Sequence, residues 1–239
     1  MNVKRPEAIL FDMGGVLLPS AERYDEKGFR LSYPDGLPDP APMDWFLGMS
    51  QDCLRRFLAL TPPRPPMDAR PIIAQWLEKR GIDPSSGTVE KWRALMERWE
   101  ARPVFGHVRP ALETLGRMGF RMGVVSNTMM AGRYLREHFA RAGIGPYFEV
   151  TLFSAEFGVN KPDPAIFRAA LDAMRVEPRD AWYVGDKPQR DMCGAHRAGM
   201  TAVLVDSAHG HRVADAPENQ PDFRIRDISG LPALMEQMD

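Results

Sequence analysis

The stretch YVGDKPQRDMCGAHRAGM, Tyr183 to Met200, decides the fold. It overlaps a short apolar run, Trp182–Val184, of residues that favour a strand. Gly185-Asp186 ends the run, and a helical pattern near 190–198 follows. Gly199 stops that pattern as glycine commonly stops a helix. Another apolar run, Ala202–Val205, comes next. Gly194, Ala195, Ala198 and Gly199 are small enough to let the intervening helix lie close against a sheet. Strand, helix and strand in immediate succession describe a unit of parallel sheet, whose strands are apolar throughout because both faces are covered.

The same alternation extends in both directions. Strand-like runs occur at Ala8–Phe11, Met122–Val125 and Val150–Phe153, with a weak last one near Phe223–Ile225. Helical patterns fall near 109–118, 129–142, 164–175 and 231–237. Asp163-Pro164 fits an N-cap followed by a first-turn proline, and Gly143 fits a helix stop. Residues 19–107 read differently. Twelve of the 22 prolines lie between Pro19 and Pro103, and YPDGLPDPAP (33–42) and TPPRPP (61–66) exclude helix or central strand. Between them, Trp45, Phe46, Met49, Cys53, Leu54, Phe57 and Leu58 recur at helical spacing, as do Ile72, Ile73, Trp76 and Leu77, and Val89, Trp92, Leu95, Met96 and Trp99. The expected architecture is an α/β, Rossmann-like, doubly wound parallel sheet core, residues 1–18 and 108–239, with an all-helical cap inserted at 19–107.

Composition narrows the function. With 239 residues, 44% apolar and 26% charged, the chain has the make-up of an ordinary globular protein. Lys and Arg total 31 against 32 Asp and Glu, a net charge of −1, which gives no support for a nucleic-acid partner. The longest apolar runs are far too short to cross a bilayer, and Asp12 interrupts the only early one, so neither a membrane span nor a signal peptide is read. Cys53 and Cys193, far apart, fit a reduced, cytoplasmic setting. Oligomeric state is left open.

Ligands of an open parallel sheet sit beyond the carboxyl ends of its strands. Asp12, Met13, Gly14 and Gly15 follow the first strand; Ser126, Asn127 and Thr128 follow the second. Lys161-Pro162 lies between the third strand and its helix. Gly185-Asp186 follows the fourth, with Asp191 five residues on. Singly these are ordinary turn, cap and loop residues. Four such features in order at the ends of successive strands point to a site.

FDMGGVL (11–17), VVSNT (124–128), NKPDPAIF (160–167) and YVGDKPQRDMCGAHRAGM (183–200) resemble, in order and spacing, the four motifs of the haloacid dehalogenase-like hydrolase superfamily, and the insertion resembles the helical cap of its first cap class. The resemblance implies phosphoryl chemistry. Asp12 would be the nucleophile, forming an aspartyl-phosphate. Asp12, Asp186 and the Gly14 carbonyl would hold Mg²⁺, with Asp191 behind the metal. Ser126, the backbone N–H of Asn127 and Lys161 would meet the phosphoryl oxygens, and Gly15 would permit the tight turn at the phosphate. The implied substrate is a small phosphorylated metabolite.

Gly14 departs from the pattern, because the superfamily's phosphatases usually carry there an Asp that serves as general acid and base. Help of that kind is typically worth about 10² to 10⁴ in rate. A phosphatase with a substituted proton carrier or a good leaving group, a haloalkanoate dehalogenase, a phosphonatase and a non-catalytic phospholigand-binding or regulatory protein all remain open. The intact Gly185-Asp186 and Asp191 favour a metal site over the metal-free dehalogenases. A phosphonatase would need a Schiff-base lysine, and of the insertion's Lys27, Lys79 and Lys91 two read as solvated beside other charges. His107, at the junction, is a candidate hinge or proton carrier. His209 and His211, Arg23 and Tyr24 carry weaker signals, and Cys193 reads as packed.

Overall fold

The computed structural model describes residues 4–20, 25–33, 35–37, 42–59, 68–206 and 216–238. His209, His211, Arg23 and Tyr24 lie outside them, as do Thr61–Pro66 and half of Tyr33–Pro42.

Strand β1 (Ala8–Phe11) shows why the sheet forms. Ile9 and Phe11 enter one hydrophobic core while Ala8 and Leu10 enter another, the two-residue alternation of a strand whose two faces are both covered. β4 (Ala181–Gly185) repeats it: Trp182 and Val184 join Ile9, whereas Ala181 and Tyr183 join Leu10. Fully burying each such large side chain is worth about 1.5–3 kcal/mol. With β2 (Arg121–Ser126), β3 (Val150–Phe153), β5 (Thr201–Val205) and β6 (Phe223–Ile225) they make a parallel sheet in the order β3-β2-β1-β4-β5-β6. Chain order runs outward from β1 in one direction and then, from β4, in the other. The crevice of a doubly wound sheet therefore opens between the ends of β1 and β4.

Helices α1 (Glu26–Ser32), α2 (Met43–Ala59), α3 (Arg70–Glu78) and α4 (Ser86–Glu100) fall between β1 and β2. They share an aromatic core. Trp45 and Trp92 meet edge to face at 4.9 Å, Tyr33 and Phe46 at 5.6 Å, and the Tyr33 hydroxyl donates to the Leu95 carbonyl. Met129 and Met130, just past β2, belong to the same cluster. Where the chain leaves and returns, its two crossings run side by side. The Phe105 N–H donates to the Leu17 carbonyl (3.0 Å) and the Arg102 guanidinium to the Ser20 carbonyl (3.0 Å).

The sheet is flanked by α5 (Val108–Arg117), α6 (Gly132–Arg141), α7 (Ser154–Phe157), α8 (Pro164–Met174), α9 (Cys193–Ala198) and α10 (Leu231–Glu236). Asp163 caps α8, accepting from the Ala165 N–H at 2.9 Å with Pro164 in the first turn. The small residues of α9 act as expected. A Cβ on Gly194 would stand 2.5 Å from the Phe167 ring of α8, so the two helices touch where only glycine fits. Gly143 and Gly199 close their helices with φ of +69° and +90°.

The structure corrects several boundaries. α6 starts at Gly132, not near 129, because the Thr128 hydroxyl accepts from the Met130 N–H (2.9 Å) and diverts the backbone from helix. Residues 188–192 form a wider π-helical turn before α9. α1, capped by Asp25 on the Gly28 N–H (2.7 Å), and the single turn α7, closed by Gly158 at φ +90°, are too short for a periodic signal. Among the described residues, no helix is long and apolar enough to cross a membrane.

Candidate active site at the carboxyl edge of the sheet

β1 and β4 pair with Phe11 opposite Val184, so the residues that leave them, Asp12 and Asp186, emerge side by side. The Asp12 N–H donates to the Val184 carbonyl (2.8 Å), fixing its backbone to the ladder. Ser126 ends β2 on the other flank of β1. Lys161 lies just ahead of α8, and Asp191 lies in the π-helical turn. All five side chains are buried.

Their contacts form one network. Asp12 Oδ1 accepts from the Met13 N–H (2.8 Å), the Ser126 hydroxyl (2.8 Å) and Lys161 Nζ (2.9 Å). Lys161 Nζ also reaches Asp191 Oδ1 (2.8 Å) and donates to the Tyr183 hydroxyl (2.6 Å), which passes its own proton to the Val125 carbonyl (2.8 Å). Three partners match the three N–H donors of an ammonium. Asp191 Oδ2 accepts from the Asp186 and Lys187 N–H groups (3.2 and 2.9 Å). Asp191 thus shapes the loop and holds Lys161.

Two glycines make room. Gly15 has φ +84°, and a Cβ there would lie 2.2 Å from Asp186 Oδ2. A Cβ on Gly185 would lie 2.4 Å from the Asp191 Cβ. Gly14 needs no such freedom: its φ is outside the left-handed region, and a Cβ would meet Ser20 Cα at an ordinary 3.5 Å.

Burial, then the charges of Asp191 and Asp12, push the Asp186 carboxyl up. Burial also pushes Asp191 up, but Lys161 and Arg190 outweigh it and hold that carboxyl down. Burial and the anions Asp12 and Asp191 push the Tyr183 phenol well above its ordinary value, so it stays a neutral relay between Lys161 and Val125. Asp12, Asp186 and Asp191 each offer an oxygen within 4.8 Å of the others. Three hard oxygen donors, one of them destabilised as an anion by the other two, fit a hard divalent cation such as Mg²⁺.

Asn127, expected to touch substrate, uses its side chain otherwise: Nδ2 donates to the Lys161 carbonyl (3.0 Å) and Oδ1 accepts from the Lys161 N–H (2.8 Å). It positions Lys161, and only its backbone N–H is left for the expected role. His107 stacks on Phe105 at 5.4 Å. Cys193 is buried, its thiol pushed up by burial, as expected of a packed cysteine. Lys27, Lys79 and Lys91 are exposed.

Sequence reading missed Arg190, Lys187 and Tyr183. Arg190 Nη2 lies 2.8 Å from Asp12 Oδ2 and 3.9 Å from Asp186 Oδ1, with Nε 3.4 Å from Asp191 Oδ1; Lys187 Nζ lies 3.4 Å from Asp186 Oδ2. Only Tyr183 carried a signal, a polar tip inside an apolar strand two residues before the motif glycine. A cavity of about 460 Å³ lies nearby between α3, α4 and α7, walled by Met129, Met130, Arg93 and Glu97 among others but not by Asp12 or Asp186.

The family model of the haloacid dehalogenase-like hydrolases matches residues 6–199, and the chain belongs to that family. It is 36% identical over 154 residues to a phosphoserine phosphatase of Thermus thermophilus, covering 63% of this chain and 60% of that one. It is 38% identical over 121 residues to a glyceraldehyde 3-phosphate phosphatase of Methanopyrus kandleri, covering 49% and 50%. The chain thus spans between half and two thirds of the length of these curated relatives. A 2-haloacid dehalogenase from Pseudomonas syringae superposes over 98% of this chain and 100% of its own, with a TM-score of 0.67 at 25% identity.

Proposed function

We propose that the protein is a Mg²⁺-dependent phosphatase of a small phosphorylated metabolite, working through an aspartyl-phosphate on Asp12, with residues 19–107 as the cap. The observation that carries the proposal is the buried Asp12 carboxylate, with Lys161 and Ser126 on one oxygen and Asp186 beside it at the switch point of the sheet. Asp12, Asp186 and the Gly14 carbonyl would hold the metal, with Asp191 behind them. A bound Mg²⁺ supplies charge neutralisation between the nucleophile and the phosphoryl group.

The chain's own residues do the rest. Lys161, held by Asp191, Tyr183 and the Asn127 clamp, offsets charge on Asp12 and on the incoming phosphate. The Ser126 hydroxyl, which donates to Asp12 Oδ1, orients that carboxylate and would turn to a phosphoryl oxygen when substrate binds. Asp12 attacks phosphorus, the P–O bond to the leaving group breaks, and water then attacks the phosphorus of the aspartyl-phosphate to release inorganic phosphate and restore the carboxylate. The metal-ready triad favours this reading over halide displacement, which needs no cation.

The test is hydrolysis of a panel of phosphorylated metabolites with Mg²⁺ and with chelator. Phosphate release that requires Mg²⁺ and is abolished in Asp186→Ala is expected. Turnover unchanged by chelator and by that substitution would refute the metal site, and release of halide from 2-haloacids without phosphate release would refute the phosphatase.

A further inference from the structure

Asp12 Oδ1 already accepts from three donors, so Oδ2 is the oxygen left for a metal or for attack on phosphorus. That oxygen is where Arg190 sits, at 2.8 Å. The same guanidinium faces Asp186 Oδ1 at 3.9 Å and Asp191 Oδ1 at 3.4 Å. One cation therefore addresses all three carboxylates of the metal-ready cluster. The π-helical turn aims it there. Where the chain enters that turn both Arg190 and Asp191 donate their N–H to the Lys187 carbonyl (3.1 and 2.7 Å), and both side chains reach the same site.

Lys161 and Arg190 serve the cluster from different depths. The Lys161 side chain is 0% exposed and locked by its partners, whereas that of Arg190 is 22% exposed and reaches the acids from the solvent margin. A guanidinium on a long stem can withdraw to water without losing its charge. An N–H donor and a divalent cation cannot share the same carboxylate oxygen from the same side.

We infer that Arg190 is a resident counter-cation that exchanges with the divalent metal. It holds Asp12, Asp186 and Asp191 together while the metal is away, and it leaves Asp12 Oδ2 when the metal binds. The inference rests on the proposed metal site and adds that the chain itself competes for it. Metal affinity in the wild type is then lowered by the interaction that must be given up, and the metal-free protein is more stable for it.

The experiment is Mg²⁺ calorimetry on wild type, Arg190→Gln and Arg190→Lys, with thermal melts in chelator and at saturating Mg²⁺. Arg190→Gln should bind Mg²⁺ about tenfold tighter or more, since one hydrogen bond between charged groups no longer opposes it. Its melting temperature should fall below wild type in chelator, the gap narrowing with Mg²⁺, and Arg190→Lys should lie between the two. Equal or weaker Mg²⁺ binding by Arg190→Gln, with wild type binding normally, would overturn the exchange and leave the metal site standing. Absence of Mg²⁺ binding in all three would overturn both. If Arg190→Gln does not fold, the Arg190 Nε–H resonance of wild type decides, assigned by its loss in Arg190→Lys. It should shift on adding Mg²⁺, and an unchanged resonance at saturation would refute the exchange.

Discussion

At Asp12 the two carboxylate oxygens meet different neighbours: Oδ1 is filled by a backbone N–H, a hydroxyl and an ammonium, and Oδ2 by a guanidinium. None of these partners is a carboxylic acid or an imidazole, the groups most readily tuned to protonate a leaving group near neutral pH. Two residues on, Gly14 presents no side chain, and its nearest neighbour there is Ser20. Phosphate esters with good leaving groups should therefore be turned over far better than alkyl esters. The backbone leaves room for the missing acid, because Gly14 is not left-handed and a Cβ would make only an ordinary contact. In Gly14→Asp, kcat/KM for an alkyl phosphate should rise relative to an aryl phosphate, by up to about 10² to 10⁴, the usual worth of general acid–base help. Equal ratios in wild type and variant would show that a proton carrier already acts. At this scale the sequence was an uneven guide. Asp12, Ser126, Lys161, Asp186 and Asp191 could be placed together because they follow strands of one sheet. Arg190 could not, since its direction depends on a π-helical turn that no periodicity announces. Asn127 follows β2 as expected, and its side chain turns to Lys161, a choice made by the loop facing it.

Among the elements, the strands were the most legible. β1, β4 and β5 are short apolar runs that both faces of the sheet require, and β1, β3 and β6 begin and end where the runs do. Helix starts were less so, because side-chain caps such as Thr128 on Met130 decide them locally. Among the inserted helices, Asp52 links two elements. It accepts from Arg55 (2.5 Å) and Arg56 (3.0 Å) within α2 and from the Trp76 indole of α3 (3.0 Å). Burial pushes its carboxyl up, but hydrogen bonds from Arg55, Trp76 and Arg56 reverse this and hold it well below the usual range. A group depressed in the folded state stabilises fully above its unfolded pKa, about 4 for Asp, and loses that contribution as pH falls toward its folded value. Asp52→Asn should therefore be less stable than wild type at pH 7, with the gap closing as pH drops below about 4. Urea midpoints across that range would show it; a gap that widens in acid would contradict the assignment.

For the whole molecule, two covered sheet faces and a separate aromatic core of inserted helices meet near the carboxyl edge of β1 and β2, where Met129 and Met130 join the second core. The alternation of apolar runs and helical stripes carried this architecture into the sequence, since each core requires its own periodicity. The charge balance of the chain, −1 overall, gave no hint that three acids and three cations would be concentrated at one sheet edge. That concentration is what an attack by Asp12 on phosphorus requires, and it can be tested directly. The protein is mixed with Mg²⁺ and an aryl phosphate labelled at phosphorus, quenched in acid within the first turnovers, and the labelled peptide is mapped. Label on the peptide that carries Asp12, absent in Asp12→Asn together with turnover, is the predicted result. Hydrolysis of the aryl phosphate with no label on that peptide, and undiminished in Asp12→Asn, would contradict it.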